Sequence, residues 1–508
     1  MDSFNRMKTR SSNLTRREFL KTTTTAAAAA ALAPTLLPSV ARADDKPASK
    51  MIGIQVGAVS FLDEGTEQVL DILQARGAVN TLFVAAFTYG RGIGGRQVPG
   101  QPFPDHGKQE SDEKTFHGGN YATPHAKFYE HTTLKETKAP DHGDYDVLAD
   151  VLPKAHKRGM KVYAWYEDNF DAKIPGIEQL HEVDFQGRSA NTLCPLQPDY
   201  REFLIGLTED YCQSYELDGV MWGSERQGPL HNALGAKVGT GDPSRVTCFC
   251  ELHQKAAKER GIDVARAKQG FEKLAEFVSA SRAGQRPTDG YFVEFWRLLL
   301  DYPELLAWEK LWTDSKHAIY ADVYHAAKKS RASVQVGFHI WHVNSFSPFF
   351  RAEQNYPEFA KVADFLKIVV YNNCGGPRYA SYIENMAAGI LRDVPKAEVL
   401  RLNNEWLDYA NEAPLDKLPA AGLSPDYVAR ETRRALNGVQ GKCKIYPGLD
   451  IDVPTAGGQK KTLPEDVYAS TTAALKAGAD GVLFSRKYSE MKLANLSAGG
   501  KAVREFGT

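Results

Sequence analysis

Eight short apolar segments alternate with helical segments along the chain, from about residue 51 to its end. Each is five to nine residues long and largely apolar, which is typical of a strand buried on both faces. Such strands, separated by helices, predict an α/β fold with a parallel sheet, and eight of them favour a closed (β/α)8 TIM barrel. The segments are residues 52–60, 79–87, 161–166, 217–222, 334–340, 365–371, 442–449 and 481–485.

An open, doubly wound sheet is the alternative arrangement of the same elements. Its nucleotide-binding version carries a Gly-x-Gly-x-x-Gly turn after the first strand, and the sequence has no such turn there. Within a barrel domain of residues 51–508, two connections are long. Residues 88–144, rich in Gly, Pro and His, are expected to extend over one mouth of the barrel, and residues 229–314 form an insertion after the fourth strand.

The first 43 residues have the three parts of an export signal. Thr15–Lys21 reads TRREFLK, which is the twin-arginine pattern, and a weakly apolar stretch rich in Ala and Thr follows at 22–37. Residues 41–43, Ala-Arg-Ala, then fit a small-x-small cleavage site. We predict that residues 1–43 are a signal peptide, and that the protein is periplasmic or secreted after export by the twin-arginine pathway.

The charge balance argues against a polyanionic partner. The chain has 62 Lys and Arg against 63 Asp and Glu, and residues 1–43 contain seven of the basic and two of the acidic residues. The net charge of the remainder is near −6, without a basic patch that has interleaved aromatic residues, so no nucleic-acid partner is expected. No apolar run after residue 43 has the length of a bilayer span.

Polar and charged residues follow nearly every later strand. Glu225 lies just beyond the buried fourth strand, which is where an α/β barrel keeps its catalytic groups; a salt bridge to Arg226 or another cation is its alternative role. A ring of such residues indicates an active site assembled from strand-end loops. Its other members are Glu167 and Asp168 after the third strand, His339 and His342 at the fifth, Asn372 and Arg378 after the sixth, Asp450 after the seventh and Arg486 after the eighth.

Three tryptophans, Trp165, Trp222 and Trp341, lie at or near the same strand ends. Sugar rings have apolar faces that stack on indole, and hydroxyl groups that bond to carboxylates, amides and guanidinium groups. A mouth lined by these residue types predicts a carbohydrate ligand. Packing in the core or at the rim is the alternative role for each tryptophan.

Two sets of residues have side chains that bind metals. Cys248-x-Cys250-x-x-His253 suits zinc, but only three ligands are visible, so a structural metal site, a disulfide and ordinary cysteines all stay open. His339 and His342 are three positions apart on a strand and its exit, so they are expected to point to opposite faces. We predict no metal and no other cofactor at the mouth of the barrel.

Two stretches of the sequence resemble a motif of bacterial glycoside-hydrolase-like barrel proteins. Residues 194–203 read CPLQPDYREF, like the stretch that begins the helix before the fourth strand in that group. Residues 215–220 read YELDGV, like the entry to that strand. The Cys-x-Cys element resembles a Cys-rich segment in several of these proteins, where a third Cys often follows; here His253 takes that place.

The resemblance implies an eight-stranded barrel and an activity on sugars. In related barrel glycosidases the catalytic acids follow the fourth strand and a later one, often the seventh, which matches Glu225 and Asp450 here. We therefore expect an exported glycoside hydrolase with Glu225 and Asp450 as acid and nucleophile or base. Glu167 and Asp168 are the reserve candidates for these roles and, with the other mouth residues, are expected to bind the carbohydrate. The alternatives are a non-catalytic sugar-binding barrel and a metal-dependent sugar isomerase or lyase.

Overall fold

Eight parallel strands close into a barrel, which confirms the predicted (β/α)8 TIM-barrel fold. In the computed structural model the first strand pairs in parallel with both the second and the last, so the barrel has no open edge. The barrel strands are β1 (Met51–Gly57), β2 (Thr81–Tyr89), β3 (Lys161–Glu167), β4 (Gly219–Gly223), β5 (Gln335–Ile340), β6 (Phe365–Val369), β7 (Lys444–Asp450) and β8 (Gly481–Ser485).

The structure describes residues 50–89, 95–97, 100–111, 117–168 and 173–507. Residues 49–508 form one compact unit. The predicted signal peptide, residues 1–43, lies outside the described residues. None of the described helices is long and apolar enough to cross a membrane.

Side chains fill the inside of the barrel, and this explains why the strands are apolar on both faces. Tyr163 and Trp165 of β3 point inward and pack with Met221 of β4 and Phe365 of β6. The Phe365 ring lies where a side chain at Gly337 of β5 would be, 2.1 Å from the position of its Cβ. The barrel interior is therefore a packed core, and the polar site is built above it, at the carboxyl ends of the strands.

Helices cover the outside of the barrel and fill the insertion after β4. Those in the described part of the chain are α1 (Ala58–Glu64), α2 (Thr66–Gly77), α3 (Val147–Lys157), α4 (Pro198–Ser214), α5 (Pro229–Leu234), α6 (Glu251–Glu259), α7 (Val264–Arg282), α8 (Tyr291–Asp301), α9 (Glu304–Ser330), α10 (Pro348–Glu353), α11 (Tyr356–Phe359), α12 (Gly375–Ala388), α13 (Lys396–Leu407), α14 (Leu418–Ala421), α15 (Pro425–Val439), α16 (Pro464–Lys476) and α17 (Leu493–Phe506).

The insertion after β4 contributes α5 to α8 and rests against the next barrel helix. That helix, α9, begins at Glu304, inside the predicted insertion 229–314, and is 27 residues long. Its first turns have a partner in the insertion, since Leu305 lies against Gly270 of α7. The insertion thus packs against the N-terminal turns of α9.

Two small sheet additions lie among the loops that follow β2 and β3. A short strand, Gly118–Asn120, pairs antiparallel with the end of β2. A hairpin of His181–Val183 and Ser189–Leu193 lies between β3 and α4. Within the long connection 88–144, His106 bonds to Glu64 and stacks on Tyr488, so its described part covers the loops after β1 and β8.

Candidate active site

The carboxyl ends of β3 to β6 bring four residues into one row. Glu167, the last residue of β3, is in register with Gly223 of β4, and Gly223 is in register with His339 of β5. His339 is in turn in register with Lys367 of β6. A Cβ at Gly223 would lie 3.0 Å from the Cβ of His339, so a glycine in this row leaves room for the imidazole.

Glu225 lies two residues beyond β4 and reaches over this row. Its side chain is 46% exposed, and Oε1 accepts a hydrogen bond of 2.9 Å from Nε2 of His339, which is buried. Partial burial by itself would raise the pKa of Glu225. The hydrogen bond from His339 and the positive charges of Arg378 and Lys367 outweigh that effect and lower the pKa below its usual range. Glu225 is therefore ionised at neutral pH.

Glu167 has the opposite electrostatic character. Burial, together with the negative charge of Glu225, raises the pKa of Glu167 from 4.5 to about 8, against the opposing charges of Lys367 and Arg486. Its Oε2 is buried and has no hydrogen-bond partner among the described residues. Glu167 therefore carries a proton at neutral pH, beside a glutamate that does not.

Lys367, in the same row, interacts electrostatically with both glutamates. Its Nζ donates to Oε1 of Gln55, across the barrel on β1, at 2.8 Å, and to the Tyr371 hydroxyl at 3.2 Å. Burial lowers the pKa of Lys367 to about 7, although the charges of Glu225 and Glu167 oppose this effect. The side chain is fully buried, so it acts on the carboxyl groups through charge and has no surface for a ligand.

Sequence reasoning missed Lys367 and Gln55. A signal was present, because a lysine in the middle of the apolar strand FLKIVVY has to be buried with a polar partner. The sequence alone does not say which partner the fold brings to it.

Asp450, predicted as the second catalytic carboxylate, has a different role in the structure. It is fully buried, and its oxygens accept from the backbone N–H groups of Asn372 at 3.1 Å, Asn373 at 3.2 Å and Cys374 at 2.8 Å. Burial nevertheless leaves the pKa of Asp450 above its usual value. Its hydrogen-bonding capacity is thus used to hold the turn after β6, and none of its surface is available to a substrate.

Asp168 also serves the framework of the mouth. It is buried and accepts hydrogen bonds from the Tyr200 hydroxyl, from Oγ of Ser224 at 2.8 Å and from Nη1 of Arg226 at 3.2 Å. Arg226 is thereby held by Asp168 and not by Glu225. No salt bridge joins Glu225 to Arg226 among the described residues, and the contact of Glu225 is with His339 instead.

The three tryptophans lie in three different environments. Trp165 is buried inside the barrel, one pleat below Glu167. Trp222 points outward from β4 and packs against Tyr320 of α9, with ring centroids 4.8 Å apart. Both are therefore core residues and do not stack on a sugar. Trp341, directly after β5, is half-buried and packs edge-on against Phe350, so it is the tryptophan that stays accessible.

The remaining predicted residues, at the ends of β5, β6 and β8, differ in exposure. His342 is buried and bonds to the Tyr427 hydroxyl at 3.1 Å and to Nη1 of Arg378 at 3.2 Å; burial and the charge of Arg378 lower its pKa well below the usual value. Asn372 is also buried. Arg378 and Arg486 are partly exposed, and Arg486 is paired with Glu490. Arg378, Arg486 and Trp341 are thus the accessible residues of this set, here called the rim, whereas His342 and Asn372 are buried.

Fold and site together define a class: an eight-stranded α/β barrel with a protonated and an ionised glutamate at its carboxyl mouth. A family model described as "Glycosyl hydrolase-like 10" matches residues 120–225, a segment that runs through β3 and β4 and ends at Glu225. The match confirms the resemblance inferred from the motif in residues 194–220. The comparison with curated proteins found no match.

Several solved structures are similar at low identity. The chain is 13% identical to alpha-L-fucosidase isoenzyme 2 from Paenibacillus thiaminolyticus, with a TM-score of 0.47, covering 90% of this chain and 49% of that one. It is 12% identical to the PgaB (BpsB) glycoside hydrolase domain from Bordetella bronchiseptica, with a TM-score of 0.47, covering 91% and 99%. It is 14% identical to a beta-galactosidase from Halorubrum lacusprofundi, with a TM-score of 0.49, and the match covers 90% of this chain and 58% of that one. The chain thus spans about half the length of the fucosidase.

Proposed function

We propose that this protein is an exported glycoside hydrolase in which Glu167 donates a proton to the leaving oxygen and Glu225 is the nucleophile or base. One observation carries the proposal: the two glutamates follow neighbouring strands, and their environments move their pKa values in opposite directions. Hydrolysis of a glycosidic bond needs one carboxylic acid and one carboxylate at the same bond. The match to a glycosyl hydrolase-like family model over residues 120–225, which include both glutamates, supports the same function.

The neighbours of the two glutamates maintain this difference. The carboxylate of Glu225 can only accept, so Nε2 of His339 carries the proton of their hydrogen bond and fixes the orientation of the carboxylate. Burial and the charge of Lys367 lower the pKa of His339, which keeps the imidazole neutral. Glu167 in turn stays protonated because it is buried, and because ionisation would bring a second negative charge next to Glu225.

The proposed pair differs from the pair expected from the sequence, in which Asp450 accompanied Glu225. Asp450 is fully buried and bonded to three backbone N–H groups, so it cannot reach a glycosidic bond without unfolding the turn after β6. Glu167 belongs to the row that also holds His339 and Lys367. The strand next to β4, and not β7 across the barrel, supplies the acid.

The rim residues fit a carbohydrate. The half-buried indole of Trp341 offers a face for the apolar side of a sugar ring, and the guanidinium groups of Arg378 and Arg486 offer donors to its hydroxyl groups. A metal-dependent reaction at the mouth is less well supported. Two groups in the described part of the chain have the spacing of a metal site, and neither includes Glu167, Glu225 or His339.

A hydrolysis screen tests the function itself. Purified protein is incubated with a panel of 4-nitrophenyl glycosides and with oligosaccharides, and released nitrophenol and reducing ends are measured. We expect turnover of at least one substrate by the unaltered protein, with a loss of at least about 10²-fold in Glu225→Gln. Binding of sugars by calorimetry, without turnover of any substrate and unchanged in Glu225→Gln, would instead identify a non-catalytic sugar-binding barrel.

A further inference from the structure

Four side chains outside the barrel mouth converge at one point of the insertion. They are Cys194, which follows the hairpin between β3 and α4, Cys248 and Cys250 before α6, and His253 in the first turn of α6. The sulfur atoms and one ring nitrogen all lie within 4.8 Å of one another. The sequence spacing showed three of these ligands, and the fold adds the fourth, Cys194, from more than fifty residues away.

The three distances among Cys194, Cys250 and His253 are close to those between tetrahedral zinc ligands, and the sulfur of Cys248 lies within 4.8 Å of all three atoms. Zn–S bonds of about 2.3 Å and Zn–N bonds of about 2.0–2.1 Å give tetrahedron edges of about 3.8 Å between sulfurs and about 3.5 Å between sulfur and nitrogen. The two sulfurs of Cys194 and Cys250 are 3.6 Å apart. Nδ1 of His253 lies 3.3 Å from the sulfur of Cys194 and 3.7 Å from that of Cys250. A disulfide would require about 2.05 Å between sulfurs.

We propose that Cys194, Cys248, Cys250 and His253 bind one zinc ion as a closed, structural Cys3His site. Three of the four residues are buried and Cys250 is half-buried, so four protein ligands fill the coordination sphere and leave no open position for a substrate. The site is separate from the barrel mouth, for which no metal was predicted.

Backbone and aromatic contacts hold the ligands in place around this point. The N–H of Cys194 donates to the carbonyl of Leu180 at 3.0 Å, and the N–H of Phe249 donates to the carbonyl of Val183 at 2.6 Å, so both cysteine segments are fixed to the same hairpin. Nε1 of Trp308 donates to the carbonyl of Cys248 at 3.1 Å. The backbone N–H of Cys250 donates to the sulfur of Cys248 at 3.5 Å and helps to hold that side chain in place.

The ion would fasten the insertion to the loop that carries Glu225. Glu182 of the hairpin accepts hydrogen bonds from Thr247, one residue before Cys248, and from Trp312 of α9. The same carboxylate pairs with Nη2 of Arg226 at 2.6 Å. Arg226 directly follows Glu225, so a zinc ion that fixes residues 247–250 also restrains the candidate active-site loop.

Metal analysis of the full-length protein tests the site without any sugar substrate. Protein purified without chelators and with a tag that contains no histidine should contain about one zinc per chain, as measured by inductively coupled plasma mass spectrometry. Cys250→Ser and His253→Ala should each lower the zinc content to near zero. Cys443→Ser changes another buried cysteine, far from the cluster in sequence, and should keep the zinc.

A spectroscopic measurement keeps the test valid if a variant fails to fold. Unaltered protein in which Co²⁺ replaces the native ion should show intense thiolate-to-cobalt absorption in the near ultraviolet and the visible bands of tetrahedral cobalt. Metal-free protein with a Cys194–Cys250 disulfide in its peptide map would overturn the proposal, and so would zinc that survives Cys250→Ser. If Glu353→Gln lost its zinc while Cys250→Ser and His253→Ala kept theirs, the ion would belong to the group of His231, Glu309 and Glu353, and the proposal would also be overturned.

Discussion

Glu167 and Glu225 have the same side chain, and at the scale of single residues their surroundings make them different acids. Glu225 is half exposed and accepts a hydrogen bond from His339, whereas a buried oxygen of Glu167 has no partner among the described residues. The charge of each glutamate also acts on the other, so ionisation of Glu225 helps to keep the proton on Glu167. Removal of the charge of either glutamate by mutation would therefore change the pKa of the other.

The raised pKa of Glu167 predicts a particular dependence of stability on pH. Its folded pKa is about 8 against an ordinary value of 4.5, so between these values the folded state binds a proton that the unfolded chain has lost. The free energy of unfolding therefore falls through this residue as the pH rises across that window. Glu167→Gln is neutral at every pH and lacks this effect, so its Tm minus that of the unaltered protein should grow between about pH 5 and pH 8. Thermal unfolding by circular dichroism measures the difference, and a constant difference across this range would contradict the assignment.

At the scale of elements, the barrel strands could be predicted because both of their faces are buried, which leaves continuous apolar runs in the sequence. The orientations of the side chains at the mouth were harder to predict, because the apolar character of a strand does not show which of its residues point into the barrel. Alternation along β4 sends Met221 into the barrel and Trp222 outward against Tyr320. Trp165 shares the inward face of Glu167 but lies one pleat lower, inside the core. Strand parity would have separated Trp222 from the mouth.

The position of Asp450 in the sequence does not show which groups its carboxylate contacts. Its place at the end of β7 was predicted, but the three N–H groups that occupy its oxygens come from the turn after β6, which only the folded barrel brings near. The same holds for Cys194, which reaches the other three proposed zinc ligands through the hairpin. Contacts between distant segments therefore separate the carboxylates that we propose to be catalytic from the one that holds the turn after β6.

The role of Asp450 in holding the turn after β6 gives a prediction for that element. Asp450→Asn places an amide N–H₂ group among backbone N–H donors, and at least one buried donor loses its acceptor. The free energy of unfolding should fall by at least about 2 kcal/mol, the usual cost of such a group, as measured by urea unfolding. Turnover of the protein that remains folded should stay within about tenfold of normal. A stable Asp450→Asn protein with turnover reduced at least about 10²-fold would restore Asp450 as a catalytic group.

At the scale of the whole molecule, the proposed export connects the N-terminal sequence to the folded barrel. The twin-arginine route carries proteins that are already folded, so zinc would be bound by reduced cysteines before export. Replacing Arg16 and Arg17 with Lys should leave uncleaved precursor in the cytoplasm, seen by immunoblotting of cell fractions. Normal export of this double variant would remove the twin-arginine assignment while leaving the barrel and its site unaffected.

The division of labour between the two glutamates is tested most directly with two leaving groups on the sugar found by the hydrolysis screen. A 2,4-dinitrophenyl glycoside leaves without a proton, whereas an alkyl glycoside needs one. Glu167→Gln should therefore lose at least about 10²-fold in kcat/KM on the alkyl glycoside and little on the dinitrophenyl glycoside, while Glu225→Gln should lose at least about 10²-fold on both. Equal losses on both substrates in Glu167→Gln, or full activity of Glu225→Gln, would contradict the account.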